Sequence, residues 1–285
     1  MDYGGLVKRA LDIMWKFKYL WIFGFFLEFG SGGGGGGGNL PDKFKEPISD
    51  FLTGPLLGAL IFLLLAAFVI FIIFLILYII SQGGLIHCVW RIESGENPTL
   101  RDGWNAGVKN FWRILGITIL IIVFVFAAAV MTLGPFIVLL IAVKLLGLLS
   151  AMVLIPLFMI LVVTIALIDL YAKRACIIEE KGVFDSIAEG WETLQRNLGK
   201  SLIMALIGIG STIVYVIGFL IAGLFLALPF IILGAINLFL GIALGVMVGL
   251  IYIAVASGAW GTYIDSLWTL AFLEMKKSKP AEAGL

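Results

Sequence analysis

The chain has 285 residues, of which 62% are hydrophobic and only 13% are charged, and its mean hydropathy is +1.15. A soluble domain is about half apolar and about a quarter charged, so this composition excludes a protein that folds in water alone. The formal net charge of +1 is uninformative by itself, and we expect no nucleic-acid partner.

The N-terminal segment predicts a helix that is retained in the mature protein. Its apolar stretch, residues 19–27, follows a long charged amphipathic segment and lacks a small-x-small cleavage site. These features differ from those of a cleaved signal peptide. We therefore interpret the stretch as the first membrane span.

A glycine-rich segment follows at residues 30–50. It begins GSGGGGGGG, a composition typical of a flexible linker. We predict a flexible external loop without chemistry of its own. Both a native spacer and an engineered insertion stay open.

Five further apolar runs are each long enough to cross a membrane. The first, residues 56–80, holds 25 consecutive residues without a charge, whereas a span needs roughly 20. Such runs must be helical in lipid, because every backbone donor and acceptor has to be satisfied within its own segment. With the N-terminal span they predict an all-α integral membrane protein of about six transmembrane helices in one domain, 1–285. The other runs lie near 114–133, 145–168, 202–242 and 243–264.

The positive charges predict the orientation of these spans. Of 19 Lys and Arg, only Lys43, Lys45 and Lys144 fall on the side opposite to the N-terminus if there are six spans. Cytoplasmic loops carry the excess of Lys and Arg in membrane proteins. We therefore expect a multi-pass protein of the cell (inner) membrane with both termini in the cytoplasm.

Two segments of the chain match each other at a fixed offset. Residues 102–120 align with residues 185–203 when the sequence is shifted by 83 positions. Self-similarity of this kind indicates an internal repeat. The identical pairs are Asp102/Asp185, Gly107/Gly190, Arg113/Arg196, Leu115/Leu198 and Gly116/Gly199.

The ends of later spans also correspond. Residues 83–90 share Gly, Ile and Trp with residues 261–268, and residues 168–169 give a shorter match to residues 86–87. An amphipathic helix followed by a hairpin is common in membranes, so similarity without duplication stays an alternative. The matches predict three repeated hairpin units near 1–98, 99–182 and 183–285.

Each unit is predicted to begin with an amphipathic cytoplasmic helix in the membrane interface. Apolar residues recur at i, i+4, i+7 and i+11 on one face, a pattern that the N-terminus repeats more weakly from Leu6 to Phe17. Thr99 and Asp102 have the spacing of a helix-capping box. The predicted apolar faces are Trp104, Val108, Phe111 and Leu115 in one helix, and Ile187, Trp191, Leu194 and Leu198 in the other.

These interfacial helices have two possible tasks. As structural elbows and anchors, they are expected to bend into the membrane at Gly116 and Gly199. Alternatively, their charged faces dock a cytoplasmic partner. The charged faces carry Lys109 and Arg113 in one helix and Glu192 and Arg196 in the other.

Two ionisable residues near helix ends are candidates for an intramembrane polar site. A charge at the centre of a spanning helix costs about 2.5–3.5 kcal/mol on insertion scales, so each one invites a functional question. Asp169 precedes Lys173 by one helical turn, and an interfacial ion pair is the alternative. His87, the only histidine, precedes Arg91 at the same spacing, and a structural hydrogen bond is the alternative.

Asp265 is the third candidate. It precedes Lys276 by 11 residues, roughly 16 Å along a helix, which places it inside the bilayer. It shares a helix face with Ser257 and Gly261, so we expect it to point into the bundle, with a buried hydrogen bond to Tyr263, Thr262 or a neighbouring span as the alternative. Small residues at this spacing permit close helix contact. The predicted packing positions are Gly241, Gly245, Gly249, Ser257 and Gly261.

The sequence contains no recognisable catalytic or metal-binding motif. It has no HExxH, no GxSxG in a usable context and no phosphate-binding loop, so we predict that the protein is not an enzyme and needs no cofactor. One histidine and two well-separated cysteines, Cys88 and Cys176, predict no metal site. Glu179, Glu180 and Asp185 are interpreted as a solvated charge run.

Three segments carry a family resemblance. They are WKFKYLWIFGFF at 15–26 with the glycine-rich loop after it, GWNAGVKNFWRILG at 103–116, and RACIIEEKGVFDSIAEGWETLQRNLG at 174–199. With them the chain resembles a prokaryotic family of uncharacterised polytopic membrane proteins, similar to the membrane domain of some glycerophosphoryl diester phosphodiesterases. The resemblance implies a helical membrane architecture. It implies no active site, because the soluble phosphodiesterase barrel is absent.

Two functions from different classes agree with these features. The first is a non-enzymatic membrane scaffold or accessory subunit that organises lipid, a protein partner or a second copy of the chain. The second is a transporter or lipid-handling protein with a site in the bundle near Asp265. Transporter repeats commonly place their sites near the midplane.

Overall fold

The computed structural model describes residues 1–30 and 55–277, and this part of the chain is helical almost throughout. The predicted glycine-rich loop at 30–50 lies outside the described residues, apart from Gly30 at the end of a helix. The elements in chain order are α1 (Tyr3–Lys16), a short 3₁₀ turn (Lys18–Leu20), α2 (Trp21–Gly30), α3 (Pro55–Glu93), α4 (Leu100–Ala142), α5 (Lys144–Ile178), α6 (Val183–Arg196), α7 (Leu198–Ile236) and α8 (Leu238–Lys277).

Five of these helices are long and apolar enough to cross a membrane. They are α3, α4, α5, α7 and α8, whose most apolar windows have mean hydropathies between 2.6 and 3.6. The predicted all-α class and the expectation of several apolar helices are therefore confirmed. The sixth predicted span, residues 19–27, falls on the 3₁₀ turn and on α2, which has 10 residues. The count of six spans stays a prediction.

The buried side chains gather at one end of the long helices. Most of them lie at residues 79–92 of α3, 169–177 of α5 and 258–275 of α8, three segments that we call the hub. Tyr171 and Phe272 are among the largest fully buried side chains and belong to one hydrophobic cluster. The 40 residues of α8 span about 60 Å, twice the roughly 30 Å of a bilayer's hydrocarbon core. Each hub helix is therefore long enough for a membrane span and a separate hub segment.

Beyond the hub, the long helices expose apolar side chains. Phe62 of α3 is 72% exposed, and Phe225 of α7 is 69% exposed. Apolar surface of this extent on a soluble protein would drive association or aggregation. On helices of this length and hydropathy it is the surface expected to face lipid.

Two pairs of long helices run antiparallel with a single residue between them. Val143 joins α4 to α5, and Asn237 joins α7 to α8. Within the second pair, the Tyr252 hydroxyl donates to the carbonyl oxygen of Phe219 at 2.6 Å. This bond satisfies a phenol that would otherwise stand unpaired among apolar side chains.

Three close crossings fix α2, α4 and α6 around the hub helices. At each crossing, a glycine of the outer helix lies so near its neighbour that an added Cβ would overlap a backbone carbonyl oxygen. Small residues permit such an approach of two helix backbones. The contacts pair Gly24 of α2 with Gly258 of α8, Gly107 of α4 with Ile80 of α3, and Gly190 of α6 with Ile168 of α5.

The structure has no helix break at either of the two glycines where a bend is predicted. Helix α4 continues through Gly116 without interruption, and the break before α7 falls at Asn197 rather than Gly199. Asn197 has φ −126° and ψ 31°, outside the helical region. Its amide still donates to the carbonyl oxygen of Leu194 at 3.2 Å, so the chain turns without an orphaned donor and without needing a glycine.

Most of the predicted interfacial side chains lie on the outer surfaces of α4 and α6. Leu194 is the exception, because it is buried in the hydrophobic cluster of the hub. The α4 face that contacts the hub carries small and polar residues instead, among them Gly103 and Asn110. Of the other predicted positions, Trp104, Val108, Trp191 and Leu198 are exposed, and Phe111, Leu115 and Ile187 are half-buried.

Candidate functional site: buried charge pairs in the hub

Arg174 of α5 and Asp265 of α8 form a buried ion pair. Arg174 Nη2 lies 2.7 Å from Asp265 Oδ1, and the two side chains are only 3% and 11% exposed. The guanidinium also donates from Nε to Thr269 Oγ1 at 3.2 Å and from Nη1 to the carbonyl oxygen of Leu170 at 2.8 Å. A buried charge needs such partners, because an isolated ion is strongly disfavoured in a low-dielectric interior.

Of the alternatives for Asp265, the structure bears out a bond to a neighbouring long helix, α5, although the sequence does not identify Arg174 as the partner. Asp265 is buried, but its carboxylate meets neither Tyr263 nor Thr262; the Thr262 hydroxyl donates to the carbonyl oxygens of Leu20 and Gly258. Nothing in the sequence singles out Arg174 among the other basic residues. In the structure it lies inside α5, in the hub.

Asp169 and Lys173 form a second ion pair on α5. Lys173 Nζ lies 2.7 Å from Asp169 Oδ2, as their spacing of four residues predicts, and the side chains are 4% and 22% exposed. Asp169 Oδ1 is buried and finds no hydrogen-bond partner among the described residues. The two pairs take their cations, Lys173 and Arg174, from consecutive positions of α5.

His87 does not join these two pairs. It is half-buried on α3, and its ring lies 5.7 Å from that of Trp90 in an edge-to-face arrangement. Within the described residues, no hydrogen bond or ion pair connects His87 to Asp169, Asp265 or Arg91. The three predicted site residues therefore do not form one site.

A third group of charges, the ionic cluster, joins the end of α5 and the start of α6 to the end of α8. It consists of Glu179, Lys181, Glu189 and Lys276. Lys181 and Lys276 each lie 2.7 Å from a different oxygen of Glu179, and both also pair with Glu189. The interpretation of Glu179 as part of a solvated charge run is therefore wrong, because two ammonium groups hold its carboxylate.

The ionic cluster shifts the titration of its members. Burial acts to raise the pKa of Glu189, but hydrogen bonds from Lys181 and Lys276 outweigh it and lower that pKa to about 2. For Lys181, burial acts to lower the pKa, and the hydrogen bonds that it donates to Glu179 and Glu189 raise it overall. Each charge in the cluster therefore stabilises its opposite number.

Glu180 makes a further contact on the same connection. It follows α5 with φ 53°, in the left-handed region that commonly ends a helix. Its carboxylate lies 2.8 Å from Lys109 Nζ, and its carbonyl oxygen accepts from Arg113 at 3.2 Å. Both charged residues of the predicted α4 docking face are therefore engaged within the chain.

The predicted packing positions on α8 contact different neighbours. A strict spacing of four drifts around a helix of 3.6 residues per turn, so successive positions point in different directions. Gly249 does not take part in packing within the described residues, because an added Cβ would meet nothing within 4 Å. Gly241 and Gly245 lie against α7, Gly261 lies against α2, and Ser257 is half-buried.

The buried charge pairs line none of five grooves found in the described residues. Five well-formed grooves in the described part of the chain are lined by other residues, and none includes Asp265, Asp169 or His87. The same residue ranges contain no group of three His, Cys, Asp or Glu side chains that could hold a metal ion. Cys88 and Cys176 are both buried and free. What this arrangement does chemically is to fix α5, α6 and α8 relative to one another.

The fold and the hub define a class: an all-helical protein with five helices that are long and apolar enough to cross a membrane. A family model described as a family of unknown function, DUF7544, matches residues 14–271. The chain belongs to this family. No curated protein and no solved structure matches the chain.

Proposed function

We propose that this protein is a non-enzymatic membrane scaffold or accessory subunit of the cell membrane. The observation that carries the proposal is the pairing of the charged side chains in the hub. Arg174, Asp265, Asp169 and Lys173 are paired with one another and border no described groove. Buried charges that are paired with one another hold helices together. They support a rigid structural role rather than a path along which a substrate moves.

The proposal includes six spans and cytoplasmic termini. In the proposal the apolar helix α2 belongs to the first span, which gives an even number of crossings. The distribution of Lys and Arg then places the hub on the cytoplasmic side, in keeping with the positive-inside rule. On this side the hub is positioned to meet soluble partners.

Three similar units are also part of the proposal. The crossing glycines Gly24, Gly107 and Gly190 are spaced by 83 residues, and two of their contacts, Ile80 and Gly258, are 178 residues apart, as in the sequence alignment of the span ends. These equal spacings support a repeat in which the helix that carries the glycine (α2, α4 or α6) packs on the last helix of another unit (α8, α3 or α5).

Helix α5, the last helix of the middle unit, supports a different alignment with α3 from the one that the sequence suggested. At its crossing, Ile168 takes the place of Ile80, an offset of 88. The buried cysteines Cys88 and Cys176 have the same offset. The shorter match of residues 168–169 to 86–87, at an offset of 82, pairs different positions.

The α6 surface is the best candidate for docking a protein partner. Among the residues that the structure describes, Arg196 pairs only with Glu192 of its own helix, at 2.8 Å, and the two side chains are 60% and 43% exposed. Trp191, next to them in sequence, is 46% exposed. An exposed tryptophan beside an accessible Arg–Glu pair has the composition of an interface anchor.

The experiment is native mass spectrometry of the protein extracted from its own membrane in lipid-bilayer particles. We expect a stoichiometric second component, either a protein or a second copy. Exchanging Glu192 and Arg196 keeps the charge and composition of α6 but changes the docking pattern, and it should release that component. The control is Lys8→Gln, which changes an exposed residue of α1 instead of α6. A protein that stays monomeric and free of partners in every preparation contradicts the scaffold function.

A transporter or lipid-handling protein is the second candidate. It is favoured by Asp265 Oδ2 and Asp169 Oδ1, two buried carboxylate oxygens without hydrogen-bond partners among the described residues. A site that binds a proton or cation offers such oxygens. Asp265→Asn should then abolish coupled uptake in proteoliposomes, and unchanged uptake would exclude this role for Asp265.

A further inference from the structure

A groove of about 510 Å³ lies between α2, α3 and α4. Its walls include Ile22, Phe23 and Phe26 of α2, and its α4 side carries Arg101 and Trp104. The volume falls within the range of roughly 300–1,000 Å³ that small-ligand sites occupy. An apolar floor with one cation at its margin is the arrangement that an anionic amphiphile requires.

Arg101 is the available cation of this groove. It is exposed and makes no hydrogen bond or ion pair with any residue in the described ranges. The adjacent acid does not neutralise it, because the Asp102 carboxylate is turned back to Thr99 and accepts from its amide and its hydroxyl at 2.8 Å each. A guanidinium presents several donors in a plane and matches the oxygens of a phosphate group.

Ser81 supplies an independent observation. Its side chain lines the groove and is 0% exposed, yet its hydroxyl has no hydrogen-bond partner within the described residues. A buried hydroxyl without a partner calls for an explanation, because such groups are nearly always satisfied in folded proteins. A ligand oxygen in the groove would satisfy it.

Trp104 indicates the depth at which the ligand lies. It borders the groove next to Arg101 and is 42% exposed. Tryptophan is enriched where the hydrocarbon of a bilayer meets its headgroups, because one end of the indole is apolar and the other donates a hydrogen bond. The start of α4 also adds the positive end of a helix dipole at this level.

We propose that the groove between α2, α3 and α4 binds one anionic phospholipid, with its phosphate at Arg101 and its acyl region along Phe26 and Ile22. The ester and phosphate oxygens of the lipid are the acceptors for the Ser81 hydroxyl. This inference deepens the lipid-organising part of the proposed function and rests on the placement of the protein in a membrane. The complementarity of charge and of apolar surface favours a lipid over a soluble anion.

The test measures binding of phosphatidylglycerol to the detergent-purified full chain by native mass spectrometry, with phosphatidylcholine and inorganic phosphate as the other probes. We expect retention of one phosphatidylglycerol in preference to phosphatidylcholine, and no effect of inorganic phosphate. Arg101→Gln should weaken this binding about tenfold, since a charge-assisted bond is lost. Arg9→Gln, which removes an exposed arginine of α1 that does not line the groove, should leave it unchanged.

A second pair of variants separates the lipid contact from folding. Ser81→Ala should lower the affinity for phosphatidylglycerol without lowering the melting temperature of the lipid-free protein. Ser266→Ala is the matched control, because Ser266 is equally buried, also lacks a partner for its hydroxyl among the described residues, and lines none of the described grooves. It should leave lipid affinity unchanged.

Three results would overturn the proposal. They are equal loss of lipid in Arg101→Gln and Arg9→Gln, which indicates general charge attraction; equal binding of phosphatidylcholine; and saturation of the site by inorganic phosphate alone. None of these results tests the scaffold function. That function is measured separately, by the release of a partner on the Glu192–Arg196 exchange. Conversely, a partner-free protein that binds phosphatidylglycerol through Arg101 contradicts the scaffold and keeps the lipid site.

Discussion

Arg174 and Asp265 are 91 residues apart in the chain, and their side chains meet at 2.7 Å in the hub. The same guanidinium nitrogen also donates to the backbone carbonyl oxygen of Asp265 at 3.1 Å. The pair thereby ties α5 to α8 at a point where both helices are buried. Removing one member leaves a charge in an apolar surrounding, whereas removing both leaves none, and this asymmetry makes the role of the pair measurable.

Single substitutions of the pair should destabilise the protein far more than the double substitution. Arg174→Met and Asp265→Leu should each lower the free energy of unfolding by about 3–5 kcal/mol, because each leaves an uncompensated buried charge. The double variant should recover most of that loss. The measurement is thermal or denaturant unfolding in detergent, and a double variant whose loss equals the sum of the single losses contradicts the prediction.

The ionic cluster predicts a pH dependence in the acid range. The folded-state pKa of Glu189 is about 2, below its ordinary value of 4.5, so its contribution to stability is present above pH 4.5 and is lost as the pH falls toward 2. Amide hydrogen exchange in α6 should therefore accelerate across this window. Glu189→Gln should remove that part of the pH dependence, whereas Glu192→Gln, on an exposed pair, should retain it.

The same cluster predicts retained stability at alkaline pH. The pKa of Lys181 is raised above 10.5, so its contribution is complete below that pH and is lost only as the pH rises through the higher folded-state value. Unfolding curves of wild type and Lys181→Met should thus differ at neutral pH and converge at strongly alkaline pH. A constant difference through this range would contradict the assignment.

The three close crossings predict which glycines tolerate a methyl group. Gly107→Ala and Gly24→Ala should destabilise the protein by about 1–3 kcal/mol or more, because the added Cβ overlaps backbone atoms that cannot move aside easily. Gly218→Ala on α7 is the control, since an added Cβ there meets nothing within 4 Å. It should be neutral or slightly stabilising, because alanine favours helix over glycine.

The proposed orientation can be read by cysteine labelling. The two native cysteines are buried, so background reaction with a membrane-impermeant maleimide should be low. Lys144→Cys, at the turn between α4 and α5, should react in intact cells, and Ser94→Cys, after the hub segment of α3, only after permeabilisation. Reaction of both from the same side would contradict the separation of the hub from the opposite turns.

Local features of the fold could be predicted from the sequence because their causes are local. Helix α4 begins at the Thr99–Asp102 capping box, whose residues are neighbours in the chain. Asp169 and Lys173 pair because four residues bring two side chains to the same face of any helix. The bends expected at the two glycines could not be predicted in the same way. Glycine permits a bend but does not require one, and α6 ends at Asn197, whose φ of −126° and ψ of 31° lie outside the helical region.

The sequence by itself determined that this protein is helical and built for a membrane, because hydrophobic length and composition decide both and need no knowledge of tertiary contacts. Only the tertiary structure decided that Arg174 is the partner of Asp265 and that Glu179 is held by two lysines. It also decided that Gly241 packs against α7, whereas an added Cβ at Gly249 would meet nothing within 4 Å. Those outcomes depend on how far each helix is rotated and where it crosses its neighbours. Rotation and crossing are set by contacts between residues far apart in the chain, and no local pattern encodes them.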